Sequence, residues 1–122
     1  FSLKQFGVEE PKEHDDFLTR YIEIVKANIS NPELDVSVIY EALGMSRTNF
    51  YRKVKTVTGL SPIELIKNIR LEAGAKLLKE SDMNISEIAQ HIGFSSRSYF
   101  ARSFKAVYGM SPTEYQETKS QD

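Results

Sequence analysis

Residues 47–65 read RTNFYRKVKTVTGLSPIEL, and residues 97–115 read RSYFARSFKAVYGMSPTEY. At an offset of 50, Arg47, Phe50, Arg52, Lys55, Val57, Gly59, Ser61, Pro62 and Glu64 meet identical residues at Arg97, Phe100, Arg102, Lys105, Val107, Gly109, Ser111, Pro112 and Glu114. The likeness extends upstream, where VSVIYEALGMS at 36–46 shares its apolar spacing with ISEIAQHIGFS at 85–95, one inserted residue intervening. Agreement of spacing and identity over roughly 30 positions marks an internal duplication.

Each copy carries the punctuation of two short helices around a tight turn. In the first, Asp35 is an N-cap, Val36, Ile39 and Leu43 follow helical spacing, and Gly44 suits a left-handed turn residue. Ser46 then caps a helix over 47–57 that stops before Gly59, with Gly44-Met45-Ser46 as the turn. In the second, Asn84 caps a helix through Ile85, Ile88, Ala89 and Ile92, with Glu87 three residues after the cap. Gly93-Phe94-Ser95 makes the turn, and 96–107 forms the next helix, ending before Gly109. Helix, short glycine-containing turn, helix is the helix-turn-helix pattern.

Between the copies lies SPIELIKNIRLEAGAKLLKE at 61–80, with Ser61 as N-cap, Pro62 at the first helical position and Glu64 completing a capping box. Its apolar set Ile63, Ile66, Ile69, Ala73 and Leu77, with Leu71, Ala75 and Leu78 on a neighbouring stripe, is broad enough to dock both helix pairs. Arg70, beside these stripes, is expected to pair with an acid or a phosphate. Gly74 marks either a close approach of backbones or a soft point in the rod. The second Ser-Pro-x-Glu box, at 111–114, opens only a short final helix, because the chain turns polar after Tyr115.

Upstream, residues 14–30 read as an amphipathic helix with Phe17, Tyr21, Ile24, Val25 and Ile29 at steps of three and four, and Asp15 and Asp16 near its start. Asn31-Pro32 ends it. Residues 1–13 have no sustained period and read as a linker or the tail of a preceding domain. The expected organisation is therefore 1–13 linker, 14–60 first helix and first helix-turn-helix, 61–81 connecting helix, and 82–122 second helix-turn-helix with a short last helix.

The 122 residues are 40% apolar, enough for a core without metal or disulfide support, and they contain no cysteine. No apolar run approaches the length of a membrane span, so no membrane contact by this stretch is expected. The chain begins at Phe1 without a methionine, which suggests a fragment whose missing portion holds a sensor. The net charge of −1 hides an uneven distribution. Residues 1–35 carry four basic and eight acidic side chains, residues 36–122 twelve and nine. Residues 46–55 hold Arg47, Arg52, Lys53 and Lys55 with no acid, and 96–105 hold Arg97, Arg102 and Lys105 with none.

On a helical wheel Phe50, Val54 and Val57 face the first copy's core, and Thr48, Tyr51, Arg52 and Lys55 face outward with Arg47 at the edge. Arginine can grip guanine O6 and N7 together, Thr and Tyr can bond base edges, and Arg47 and Lys55 suit phosphates. The second copy repeats the register: Phe100 and Phe104 inward, Ser98, Ala101, Arg102 and Lys105 outward. Its face is poorer in reading groups, so the first copy is expected to read more sequence. Stacking of single-stranded bases is disfavoured, since only Tyr51 and Tyr99 are candidates for exposed aromatics.

With both units in place, the chain resembles the DNA-binding region of AraC/XylS-type bacterial transcription regulators. The resemblance covers roughly residues 35–117 through GMSRTNFYRKVKTVTGLSP, IRLEAGAKLL and ISEIAQHIGFSSRSYFARSFKAVYGMSP. The preceding segment DDFLTRYIEIVKANISNPELDVSVIYEALGMS resembles the run-in to such a domain at the C-terminus of hybrid two-component regulators. The resemblance implies an all-α fold of about seven helices, two helix-turn-helix subdomains joined by a long central helix, and recognition helices entering successive major-groove segments. It places base reading on Thr48, Tyr51 and Arg52, and on Arg97, Ser98 and Arg102. Ser95-Ser96 departs from the family, which often has an acid after the Gly-Phe, and leaves the second helix capped by hydroxyls. The expected DNA-contacting set is Arg47, Thr48, Tyr51, Arg52, Lys55, Ser96, Arg97, Ser98, Arg102 and Lys105.

A rod of about 20 residues is roughly 30 Å long, close to the roughly 34–36 Å between two major-groove visits on one face of DNA. The expected partner is double-stranded DNA, with RNA polymerase a second candidate and dimerisation, if any, through missing regions. A cytoplasmic location follows, including the cytoplasmic part of a membrane-anchored regulator. Two rival functions fit the sequence less well. For an enzyme, the histidines His14 and His91 stand far apart without a matched Cys or acid pair, so no catalytic residues, metal ligands or cofactor are expected. His91 reads as a surface or capping residue, with a phosphate contact as the lesser alternative. A helical protein-interaction module without DNA binding would present apolar outward faces, and these are basic.

Overall fold

Among the described residues, six of the seven α-helices start at residues suited to that task, and the chain folds around those starts. The computed structural model describes residues 16–121, so the linker expected over 1–13, His14 and Asp15 lie outside the described residues. The elements are α1 (Phe17–Ala27), α2 (Val36–Ala42), α3 (Arg47–Thr58), α4 (Pro62–Glu80), α5 (Ile85–His91), α6 (Arg97–Tyr108) and α7 (Pro112–Glu117), followed by a 3-10 turn at Thr118–Gln121. Among the described residues there is no strand. The fold is all-α, with two helix-turn-helix subdomains joined by α4, as expected.

The caps behave as the residue types require. The Asp35 carboxylate accepts from the Ser37 amide at 2.9 Å, and reciprocal bonds join Ser61 to Glu64, Asn84 to Glu87 and Ser111 to Glu114. α1 is the exception, because the Asp16 side chain makes no capping bond. It also stops at Ala27 rather than at residue 30, where the Asn28 side chain turns back and donates to the Ile24 carbonyl at 2.8 Å. Such local competition for backbone acceptors is what makes asparagine a helix terminator.

The chain forms two compact units. The first contains α1, α2, α3 and the N-terminal half of α4, up to Ile69. Its core gathers Phe17, Leu18, Tyr21, Val25, Ile39, Phe50, Val54, Leu65 and Ile69. Phe50 sits at its aromatic centre, stacked on Tyr21 at 5.6 Å and meeting Phe17 edge-on at 6.3 Å. The fully buried Tyr21 hydroxyl donates to the Pro62 carbonyl at 2.9 Å, and burial raises its pKa, so it stays a donor.

The second unit contains α5, α6, α7, the rest of α4 from Arg70 onward, and the short segment Ile29–Glu33. Leu71, Leu78, Ile88, Ile92, Phe100 and Phe104 are fully buried there, and Ile29 packs against them. Phe104 stacks on Tyr108 at 4.3 Å and meets Tyr115 of α7 edge-on at 5.2 Å, which is how the short last helix is held.

Three expectations about packing need correction. Ile63 is 68% exposed, while Leu65 is fully buried. At 100° per residue those two positions face nearly opposite ways, so Leu65 takes the place expected for Ile63, while Ile66 and Ile69 of the same row are buried as expected. Val57 is only half-buried, and Thr58 takes its place in the core. Threonine is tolerated there because its hydroxyl donates to the Val54 carbonyl at 2.7 Å and accepts from the Leu60 amide at 3.0 Å. Arg70 meets neither acid nor phosphate: it is buried, and donates to two backbone carbonyls, those of Gly93 and Asn31. At Gly74 the close approach is made by side chains and not by a backbone, since an added Cβ would lie 2.8 Å from Ile92 Cδ1 and 3.1 Å from Phe100 Cε1.

Candidate nucleic-acid interface

Both second helices are built alike. The Ser46 hydroxyl accepts from the Asn49 amide at 3.3 Å at the start of α3, and the Ser96 hydroxyl from the Tyr99 amide at 3.0 Å at the start of α6. Gly59 and Gly109 close them with φ of 75° and 76°, a conformation in which glycine avoids the Cβ penalty. Along α3 (RTNFYRKVKTVT) and α6 (RSYFARSFKAVY) there is no acidic residue.

Phe50 and Val54 anchor α3 inward, and Phe100, Ser103 and Phe104 anchor α6. That orientation leaves Arg47, Thr48, Arg52 and Lys55 exposed on α3. On α6 it exposes Arg97, Ser98, Arg102 and Lys105, with the capping residue Ser96 also exposed. Arg52 and Arg102 therefore project from equivalent positions in the two copies. Ala101, the counterpart of Tyr51, is half-buried.

Two members of the expected set do other work as well. Tyr51 is half-buried and packs edge-on against Phe50 at 5.9 Å, and the Arg47 guanidinium carbon lies 5.0 Å from its ring centroid. Tyr51 is thus a platform that holds Arg47, consistent with a planar guanidinium resting on an aromatic face. The Lys55 ammonium donates to the Gly59 carbonyl at 2.9 Å and so helps close α3 at its negative end. Lys53, counted in the basic run, lies 4.8 Å from the Phe17 ring centroid and braces α3 against α1.

Sequence reasoning passed over Asn49. It is exposed on the first turn of α3, three residues before Arg52 and hence on the same face. Its amide is the side chain suited to an adenine edge, and that spacing was the available signal. Tyr99 is 40% exposed but leans on Phe94 at a centroid distance of 5.2 Å. His91 is exposed at the end of α5. No cluster of metal-ligating side chains occurs among the described residues, and no described helix is long and apolar enough to cross a membrane.

The helix-turn-helix domain family matches residues 39–118. Over 107 residues the chain is 36% identical to histidine kinase P4 of Formosa agariphila, a match covering 88% of this chain and 8% of that one. Among solved structures it is similar to the C-terminal domain of AraT, a response regulator from Geobacillus stearothermophilus, at 30% identity, 88% coverage of each chain and a TM-score of 0.75. It is also similar to the DNA-binding domain of AdpA, a global transcriptional factor whose structure is in complex with a target DNA, at 25% identity, coverage of 88% and 96%, and a TM-score of 0.76. The chain belongs to the AraC/XylS-type helix-turn-helix family of DNA-binding transcription regulators. It spans less than half the length of the curated relatives it matches, 8% of the kinase and 42% of a Streptococcus mutans operon regulator.

Proposed function

We propose that this chain binds double-stranded DNA sequence-specifically for transcription regulation, with α3 and α6 as its two recognition helices reading successive major-groove segments. The observation that carries it is the paired presentation of Arg52 and Arg102 on serine-capped helices without a single acid, in a chain that is net acidic. Arg52 and Arg102 grip guanine edges, Thr48 and Ser98 bond neighbouring bases, and Arg97 flanks them. Arg47, Ser96 and Lys105 contact phosphate, as does Lys55 to the extent that it leaves Gly59. Tyr51 serves by aiming Arg47, which replaces its expected role at a base.

The whole protein, on the strength of the kinase and response-regulator relatives, is a cytoplasmic or membrane-anchored bacterial two-component regulator of hybrid type, and this chain its output domain. Contact with RNA polymerase and dimerisation belong to that longer protein. The chain itself carries out no catalysis in this reading. Of the exposed large apolar residues Val38, Ile63, Tyr99 and Val107, none lies on the outward face of α3, which weighs against a protein-interaction groove there.

The test is a titration of labelled duplex, selected from a random pool, at several salt concentrations. Affinity should fall with salt at a log–log slope of about −0.9 per phosphate neutralised, because bound phosphates release counterions. A slope near zero, or no selected sequence, would overturn the proposal.

A further inference from the structure

Among the described residues, Arg70 is the charged side chain classed with the core, only 9% exposed. Its Nη1 donates to the Gly93 carbonyl at 3.0 Å and its Nη2 to the Asn31 carbonyl at 2.6 Å, while Nε is buried without a hydrogen-bond partner. Both acceptors are neutral, so the guanidinium is desolvated with incomplete compensation, and burial lowers its pKa from the ordinary 12.5. A side chain that served stability alone would be better replaced by an apolar one of similar volume. The geometry of its two bonds indicates what it serves.

Gly93 opens the turn into α6 with a φ of 83°. A Cβ there would lie 2.3 Å from the Ile29 carbonyl oxygen and 2.9 Å from Arg70 Cζ, so three pieces of chain meet at this point. The next residue, Phe94, is buried and packs on Phe100 of α6 at 5.3 Å and on Tyr99 at 5.2 Å. The position of the turn is thereby passed directly to the recognition helix. The corresponding turn of the first copy is not crowded in this way, since an added Cβ at Gly44 would meet no atom within 4 Å. The segment held by Arg70, Ile29–Glu33, follows α1 in the chain yet is built into the second unit.

We infer that Arg70 is a positioning residue for sequence reading by α6: it clamps the turn at Gly93 to the Ile29–Glu33 segment, and so fixes the register in which Ser98 and Arg102 meet base edges. Reading by α6, and not by α3, then depends on the conformation of the connection that leaves α1. A lysine would not substitute, because one ammonium lacks the planar fork that bonds two carbonyls in different directions. The inference rests on the DNA-binding reading above.

The experiment uses the full chain and a duplex selected by it, with the two half-sites assigned by which base preference disappears in Arg52→Ala and which in Arg102→Ala. Discrimination against a mutated base is then measured separately in each half-site for the unaltered chain, Arg70→Met and Arg70→Lys. Both variants should lose about tenfold in discrimination at the α6 half-site, the scale of one bidentate base contact, and keep that at the α3 half-site. A second variant, two glycines inserted between Ser30 and Asn31, removes no side chain and should produce the same selective loss, so it decides the matter if Arg70→Met fails to fold. Discrimination unchanged at both half-sites, or reduced equally at both as a smaller folded fraction would do, overturns the clamp. Failure of the unaltered chain to bind DNA at all would overturn the DNA reading and the clamp with it.

Discussion

Arg52 and Tyr51 are neighbours in the chain to which the proposed reading gives different duties. Arg52→Ala should cost about 1–3 kcal/mol of binding and relax preference at one base position. Tyr51→Ala should weaken binding across all sequences alike, because it removes the ring on which Arg47 rests. Base-by-base competition measurements separate the two; a Tyr51→Ala variant with altered preference at one position would return Tyr51 to the reading set. Gly74→Ala gains about 1 kcal/mol of helix propensity but forces a methyl against the fully buried Ile92 and Phe100. Overpacking of a closed core costs about 1–3 kcal/mol, so the variant should be less stable in denaturant unfolding, by about 1 kcal/mol. What was legible at this scale was whatever depends on near neighbours in sequence. The bonds of Arg70 were not, since its partners are backbone carbonyls 23 and 39 residues away in the chain.

The helices were almost wholly legible, because caps and turn glycines act within three or four residues. Asp35, Ser46, Ser61, Asn84, Ser96 and Ser111 all cap as their types suggest. α4 was legible in its ends and in most of its faces. Ile66, Ile69, Leu71, Ala75 and Leu78 are buried as expected, but near the start of the helix a wheel with apolar residues on several sides did not say that Leu65, and not Ile63, is covered. The caps also carry a pH dependence. The hydrogen bond from the Ser61 backbone amide, then that from its hydroxyl, with Lys55 and Lys67 adding favourable charge, hold the Glu64 carboxyl below its ordinary 4.5, and Ser111 and Lys105 do the same for Glu114. A lowered folded pKa means the contribution is present above the unfolded value and lost as pH falls through the folded one. Unfolding midpoints should therefore drop as pH falls below about 4.5, and a Glu64→Gln, Glu114→Gln double variant should show a shallower acid limb. Ser61→Ala should cost about 1 kcal/mol at neutral pH by the same measurement.

At the scale of the molecule, the duplication gives two units that each keep a core of their own, and the proposed reading divides binding between them. Arg52→Ala and Arg102→Ala should then be additive within about 0.5 kcal/mol when combined, as independent sites are. Strong non-additivity in a double-mutant cycle would mean that the two helices do not read separately. The duplicated architecture was plain in the sequence, but the membership of the units was not. Nothing in the composition of Ile29–Glu33 marks it as belonging with Arg70 and Gly93, since its attachment runs through backbone carbonyls that every residue has.

That attachment sets an order of events during synthesis. The first unit has all its residues once Ile69 has left the ribosome. Asn31 emerges early and waits for Arg70, 39 residues behind it, a delay of roughly 2–8 s at the usual pace of translation. It then waits again for Gly93 before the second unit can close. The older copy in the chain thus completes itself while holding one loop open for the younger, and a nascent chain stalled within α5 would carry a finished first reader and an unfinished second.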